Sequence, residues 1–184
     1  NRTECFLSPD GGYDFTKQAG QQWFMNAARE RGVNDFLFFT NSAPYFMTRS
    51  GSTLSGDNSG INLRNDKFDD FARFLVHTVQ HFRDNGYNVK YVSPLNEPNV
   101  EWHTNSWQEG TFATKADIYR MVAELDKAIT ESGADTKIII PEMGEMKMLF
   151  EVAENERIPD DIIRSMFYDD GAYSVMQFKN LYNC

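Results

Sequence analysis

Cysteine is nearly absent: Cys5 and Cys184 are the only two in 184 residues. Two thiols cannot make a zinc site by themselves, and their spacing matches no redox motif. Whether they pair with each other, with other cysteines or with nothing stays open at this level. Histidine is scarce as well, at three. His77 and His81 have the i, i+4 spacing of a zinc-binding helix, but Thr78 stands where that motif needs glutamate. Both lie off the apolar stripe of their helix pattern and read as a solvated face. With so few histidines and no nucleophile elbow, a serine-histidine-acid triad has no support. Basic residues are outnumbered 18 to 27, for a formal net charge of −9. No Lys/Arg run is present, which argues against a nucleic-acid partner and against a polybasic membrane-surface site. Long apolar runs are missing, so no membrane span is expected, and no signal peptide opens the chain. Residues 50–60 are rich in glycine and serine but lack Gly-Lys-Ser/Thr, so they read as a flexible rim loop rather than a phosphate loop.

What is present suits a globular domain with a sizeable core: 41% hydrophobic and 24% charged residues. Aromatics reach 14%, a surplus that serves either as core or as flat platforms for ligands such as sugars. Periodicity then orders the chain. Residues 14–31 read as a helix with Gly20, Phe24, Ala27 and Ala28 on one face and Gly32 as its stop. Phe36-Leu37-Phe38-Phe39 follows, apolar on both faces and therefore expected as a buried strand. Residues 66–83 form the next helical pattern, with Phe68, Phe71, Ala72, Leu75, Val79 and Phe82 at helical spacing. Asp66 and Asp69 suit its first turn; Asn85-Gly86 ends it, and Val89-Lys90-Tyr91-Val92 is the second strand. Residues 117–131 repeat the theme with Ile118, Val122, Leu125 and Ile129, then Gly133 as stop and Lys137-Ile138-Ile139-Ile140 as strand. Residues 149–154 suggest one more helix.

The alternation of helix and strand predicts an α/β fold with parallel strands and right-handed crossovers. Helix-to-strand connections are short (32–35, 85–88, 132–136), whereas strand-to-helix connections are long (41–65, 93–115). In α/β folds function collects at the carboxyl ends of strands, so the long loops mark the functional face. Three strands cannot close a barrel, which takes about 250 residues. The expectation is that residues 1–184 are the central portion of a larger domain rather than a small open one.

Ser93-Pro94-Leu95-Asn96-Glu97-Pro98 stands directly after the second strand. It puts a carboxyl group at the strand's carboxyl end, with an amide beside it and a proline that restricts the backbone. Glycoside hydrolysis needs an acid that protonates the leaving oxygen and later deprotonates water, and a neighbouring amide can bind a sugar hydroxyl. The plainer alternative is a glutamate that caps or salt-bridges a loop. Glu142 and Glu145 follow the third strand and suit substrate contact or a structural role better than nucleophilic attack; Glu109 suits a loop or substrate contact. Asn41, Tyr45, Trp102, His103 and Trp107 lie in the two long loops and are candidates for sugar contact, stacking in the case of the aromatics. For Trp102 and Trp107 simple packing of the loops onto the domain is the equal alternative.

Asn96-Glu97-Pro98 resembles the fourth-strand motif of clan A retaining glycosidases, in which the glutamate is the acid/base. Phe39-Thr40-Asn41-Ser42-Ala43-Pro44-Tyr45-Phe46-Met47-Thr48, Asn62-Leu63-Arg64 and Trp107-Gln108-Glu109-Gly110 narrow the resemblance to glycoside hydrolase family 30. The wording is most similar to its endo-β-1,6-galactanase-like branch. The resemblance implies a (β/α)8 TIM barrel of which this chain carries about strands three to five, truncated at both ends. It implies Glu97 as catalytic acid/base, Asn96 as a sugar ligand, and a nucleophile glutamate on a seventh strand beyond Cys184. Alternative substrates within the family are β-1,6-glucan, xylan or glucosylceramide; a non-catalytic carbohydrate-binding remnant is the reading outside enzymology. The implied partner is a carbohydrate, with no metal or organic cofactor, because paired carboxyl groups need none. The implied location is secreted, periplasmic or cell-surface. An incomplete barrel leaves strand edges open, so self-association of the 184-residue chain is expected, along with lack of activity on its own.

Overall fold

The computed structural model describes residues 4–140, 142–144, 178 and 180–183. Its elements run α1 (Ala19–Glu30), β1 (Asp35–Phe39), α2 (Phe68–Asp84), β2 (Asn88–Ser93), α3 (Lys115–Ser132), β3 (Lys137–Ile140) and β4 (Leu181–Asn183). The strands form one parallel sheet in the order β1-β2-β3-β4. The α/β class and the three expected strands are therefore present. β4 is an addition: three residues are too short to display a periodic pattern, and only pairing with β3 makes them a strand.

α2 and α3 form because their apolar residues recur at three- and four-residue spacing, and both stripes are buried. Phe71, Ala72, Val79, Met121, Val122, Leu125 and Ile129 are essentially inaccessible, together with Val89, Val92 and Ile138 from the sheet. Asp69 and Asp70 occupy the first turn of α2, with Asp66 just outside it. Gly133 ends α3 at φ 68°, a left-handed position that glycine adopts without penalty. The start of α3 is a capping box: the Thr114 side chain accepts from the Asp117 N–H, and Asp117 accepts from the Thr114 N–H at 3.0 Å. The same carboxylate accepts the Ile61 N–H at 3.1 Å, so one side chain both starts a helix and anchors the long loop after β1.

That loop, expected as a rim loop, is internally hydrogen-bonded. Its arms pair through Arg49 N–H to the Asn62 carbonyl (3.1 Å) and Arg64 N–H to the Met47 carbonyl (3.0 Å). The buried Asn62 amide then gathers the tip, donating to Ser50 Oγ (2.9 Å) and the Ser52 carbonyl (3.0 Å) and accepting the Ser50 N–H (3.1 Å). A buried amide thus meets polar groups of the turn that the glycine and serine composition did not reveal.

The first helix is shorter than expected. Asp14 Oδ1 accepts from both the N–H and hydroxyl of Thr16, a local turn that competes with helix formation. Gln18 then takes a left-handed conformation, and the helix begins only at Ala19. None of its residues is buried; Gly20 and Phe24 face outward, Phe24 at 69% exposure, while Gln22, Met25, Ala27 and Ala28 are half-covered. β1, expected as a buried strand, has no buried residue and half-covers one face only. Phe38 packs on Phe82 and Phe36 on Tyr87 (ring centroids 5.1 and 5.5 Å), but Leu37 and Phe39 are 43% and 53% exposed. β1 is the edge of the sheet, and no described element covers the face that carries Leu37 and Phe39. Of the two helix histidines, His77 is exposed as expected of a solvated face, while His81 is half-buried. Tyr13 and Phe15, in the segment before α1, lie against them, with Phe15 stacked on His81 at 3.5 Å and 2°. The expected helix at 149–154, Glu145 and Cys184 lie outside the described residues; Cys5 is a half-buried free thiol.

Asp117→Ala removes both the cap of α3 and the anchor of the long loop. Urea denaturation is expected to show a loss of about 1–2 kcal/mol, with Asp117→Asn losing less because one acceptor oxygen remains.

Candidate active site

Beyond Ser93 the chain continues alongside β3 without being a regular strand. Asn96 bridges Glu142 in parallel fashion, and the Glu97 N–H donates to the Glu142 carbonyl at 2.7 Å. Glu97 itself sits at φ 48°, in the left-handed region. Its carbonyl accepts two hydrogen bonds, from the Val100 N–H (3.0 Å) and from Trp102 Nε1–H (3.2 Å). The flanking residues are tied just as closely. The Asn96 carbonyl accepts the Thr111 N–H and the Pro98 carbonyl accepts the Ala113 N–H, each at 3.0 Å.

The loop after β1 joins the same construction. Thr40 donates its N–H to the Ser93 carbonyl (3.2 Å) and its hydroxyl to the Pro94 carbonyl (3.0 Å). The Thr111 hydroxyl reaches the Asn41 carbonyl at 2.7 Å. Three strand ends thus converge: Asn41 from the first, Asn96 and Glu97 from the second, Glu142 from the third. Two glycines allow this approach. A Cβ on Gly144 would stand 3.6 Å from the Glu97 carboxyl and only 2.9 Å from a Val100 methyl. A Cβ on Gly110 would fall inside the Trp102 indole ring.

Glu142 is half-buried, and loss of solvent pushes its carboxyl pKa above the ordinary glutamate range, with a hydrogen bond from Ser93 opposing the rise. Glu109 is held from the neighbouring loop, where Thr53 Oγ1 donates to it at 3.2 Å. Both Glu109 and Asn41 line a cleft of about 250 Å³ with Phe39 and Thr53. A larger groove of about 400 Å³, walled by Phe24, Leu37 and Phe39, lies against the open edge of β1 and does not include Glu97.

The remaining sequence candidates divide by exposure. Tyr45 (53% exposed) and Trp107 (89% exposed) stand on the long loops with His103, which is also exposed. His103 shapes its own turn: its N–H donates to Ser106 Oγ and its carbonyl accepts the Ser106 N–H. Trp102 is different: it is 6% exposed, with its ring against Gly110 rather than presented to a cleft. Packing, the alternative reading of this residue, describes where it sits. Gly110, Gly144 and Ser93 were present in or near quoted motifs, but nothing in their spacing revealed their part, which depends on which ring or carboxyl approaches them in space. Among the described residues no group of three His, Cys, Asp or Glu side chains is placed to hold a metal ion, and no helix is long and apolar enough to cross a membrane.

A family model described as O-Glycosyl hydrolase family 30 matches residues 1–183. The exo-beta-1,6-galactobiohydrolase of Bifidobacterium longum subsp. longum is 36% identical over 117 residues, which cover 59% of this chain and 7% of that protein. The endo-beta-1,6-galactanase of Hypocrea rufa is 24% identical over 124 residues, covering 66% of this chain and 26% of that one. Among solved structures, a conserved exported protein from Bacteroides fragilis superposes with a TM-score of 0.94 at 73% identity. The match covers all of this chain and 38% of that protein. The catalytic domain of GH30 xylanase C from Talaromyces cellulolyticus superposes with a TM-score of 0.62 over 80% of this chain and 34% of its own. At 21% identity that likeness is one of fold alone. The chain thus spans well under half the length of each of these relatives.

Glu142 generates a pH dependence whose sign is set. Its raised pKa means that the folded protein holds this proton more tightly than the unfolded chain. Its contribution to stability is therefore full below the ordinary glutamate range and lost as pH rises through the raised value. Urea titrations stepped from about pH 4 to 7 are expected to show a shallower decline for Glu142→Gln than for the parent.

Proposed function

The chain belongs to O-glycosyl hydrolase family 30, and on that premise we propose that it is the acid/base-bearing part of a retaining β-glycosidase, with Glu97 as the acid/base. The observation that carries this reading is the convergence of three strand ends on Glu97, whose N–H and carbonyl are both tied down. A general acid works only when its proton is aimed at the leaving oxygen, so rigid placement at a strand's carboxyl end is what the chemistry needs. In the first half-reaction Glu97 protonates the glycosidic oxygen while a second carboxylate attacks the anomeric carbon. In the second, Glu97 deprotonates the water that displaces that carboxylate. Retention requires the two carboxyl groups about 5–5.5 Å apart. The nucleophile glutamate is placed in the rest of the full-length protein, and the fold in a (β/α)8 barrel of which these strands are one sector.

Asn96 is assigned a hydrogen bond to the sugar beside the scissile bond, and Asn41 and Glu142 further polar contacts. Tyr45 and Trp107, with exposed rings, and His103 are assigned to the sugar chain beyond the cleaved linkage. The polymer is a β-1,6-galactan, in keeping with the names of the two curated relatives. A secreted, periplasmic or cell-surface location accords with the exported protein of Bacteroides fragilis.

The test is hydrolysis of β-1,6-galactan by the full-length protein beside its Glu97→Gln variant. Release of short oligosaccharides by the parent, with a loss of about 10²–10⁴-fold in the variant, is the expected result. Cleavage of a β-1,6-glucan or xylan instead would move the substrate and keep the chemistry; cleavage of neither would favour a carbohydrate-binding remnant. The 184-residue chain on its own is expected to turn over no aryl β-galactoside. It is also expected to associate in light scattering through the open β1 edge and the exposed Leu37 and Phe39; a stable monomer would refute that.

A further inference from the structure

Three residues other than glycine take a positive φ among those described: Gln18, Asn58 and Glu97. Asparagine tolerates this region because its short amide bonds locally. Glutamate has no such relief, so holding it there carries a strain that its surroundings must offset. The conformation also matters for chemistry, since reversal of φ would swing the Cβ and carry the carboxyl group away from its present direction.

The surroundings that hold Glu97 are three hydrogen bonds. Two come from the main chain: its N–H to the Glu142 carbonyl at 2.7 Å, and the Val100 N–H to its carbonyl at 3.0 Å. The third is the indole N–H of Trp102, at 3.2 Å from the same carbonyl. Trp102 is 6% exposed, and its ring occupies the space that any side chain at position 110 would fill. Residue 111, next to that seat, in turn donates its N–H to the Asn96 carbonyl at 3.0 Å. The indole is therefore enclosed by the two stretches of chain that frame the acid.

We infer that Trp102 is a positioning residue: seated on Gly110, it fixes the left-handed backbone of Glu97 and thereby aims the acid/base carboxyl group. This rests on Glu97 being the acid/base. It assigns Trp102 a part in the reaction without contact with substrate, and it makes the absence of a side chain at Gly110 a catalytic requirement.

The experiment uses the full-length protein with Trp102→Phe, Gly110→Ala and Glu97→Gln, and two β-glycosides of the sugar it cleaves. One glycoside carries a dinitrophenolate leaving group, which departs without protonation; the other carries an alkyl group, which needs the acid. Trp102→Phe keeps most of the ring and deletes the N–H. It is expected to lower kcat on the alkyl glycoside by about 10–100-fold with little change in KM. On the dinitrophenyl substrate it should release its first equivalent at the parent's rate. Azide, which attacks the glycosyl-enzyme without a base, should then restore turnover. Gly110→Ala should show the same signature, because it evicts the ring. Equal losses on both glycosides with no response to azide would overturn the positioning role, as would an unchanged kcat on the alkyl glycoside. Full activity of Glu97→Gln on the alkyl glycoside would overturn the reading beneath it, so the two failures are told apart.

Discussion

The hydrogen bond from the Glu97 N–H to the Glu142 carbonyl carries the parallel pairing of β2 and β3 past the end of both strands. Regular pairing of β2 with β3 covers only Tyr91 with Lys137 and Val92 with Ile138; beyond it the two chains would be free to splay. This contact, with the Asn96–Glu142 bridge, keeps them together where the side chains of interest begin. It also fixes the order of everything around it. Glu97 is placed relative to Glu142, the turn through Val100 folds back on Glu97, and the loop to α3 returns along Asn96 and Pro98. The Thr111 hydroxyl then brings in the loop after β1.

The sheet has two unlike faces. Phe36, Phe38, Val89, Val92 and Ile138 belong to the side packed by α2 and α3, where burial of apolar area supplies most of the stability. Leu37 and Phe39 belong to the other side and remain accessible. Rigid strand ends are thus supported from the helix side.

Sequence periodicity described α2 and α3 well because their stripes are local and strong: Phe68 to Phe82 and Ile118 to Ile129 all ended on the buried side. The turns at Asn85-Gly86 and Gly133 were legible for the same reason, since positive φ favours glycine wherever it occurs. Legibility failed where a neighbour decided the outcome. The start of α1 moved because Asp14 bonds Thr16 instead of capping a helix. The solvated-face reading held for His77, which is exposed, but not for His81, which is half-buried under Phe15. β4 is a strand only by virtue of β3 beside it.

The same division runs through the site. The amino-acid order by itself determined that a carboxyl group follows the second strand, on the side where the long loops gather, because strand, turn and loop length are read from neighbouring residues. It determined the family resemblance for the same reason, through short contiguous motifs. Only the tertiary structure decided the hand of the Glu97 backbone, the burial of Trp102 and the company of Glu142. Each depends on hydrogen bonds and close approaches between segments distant in sequence, and these exist only once β2 and β3 lie side by side and the loop after β2 has closed over Gly110.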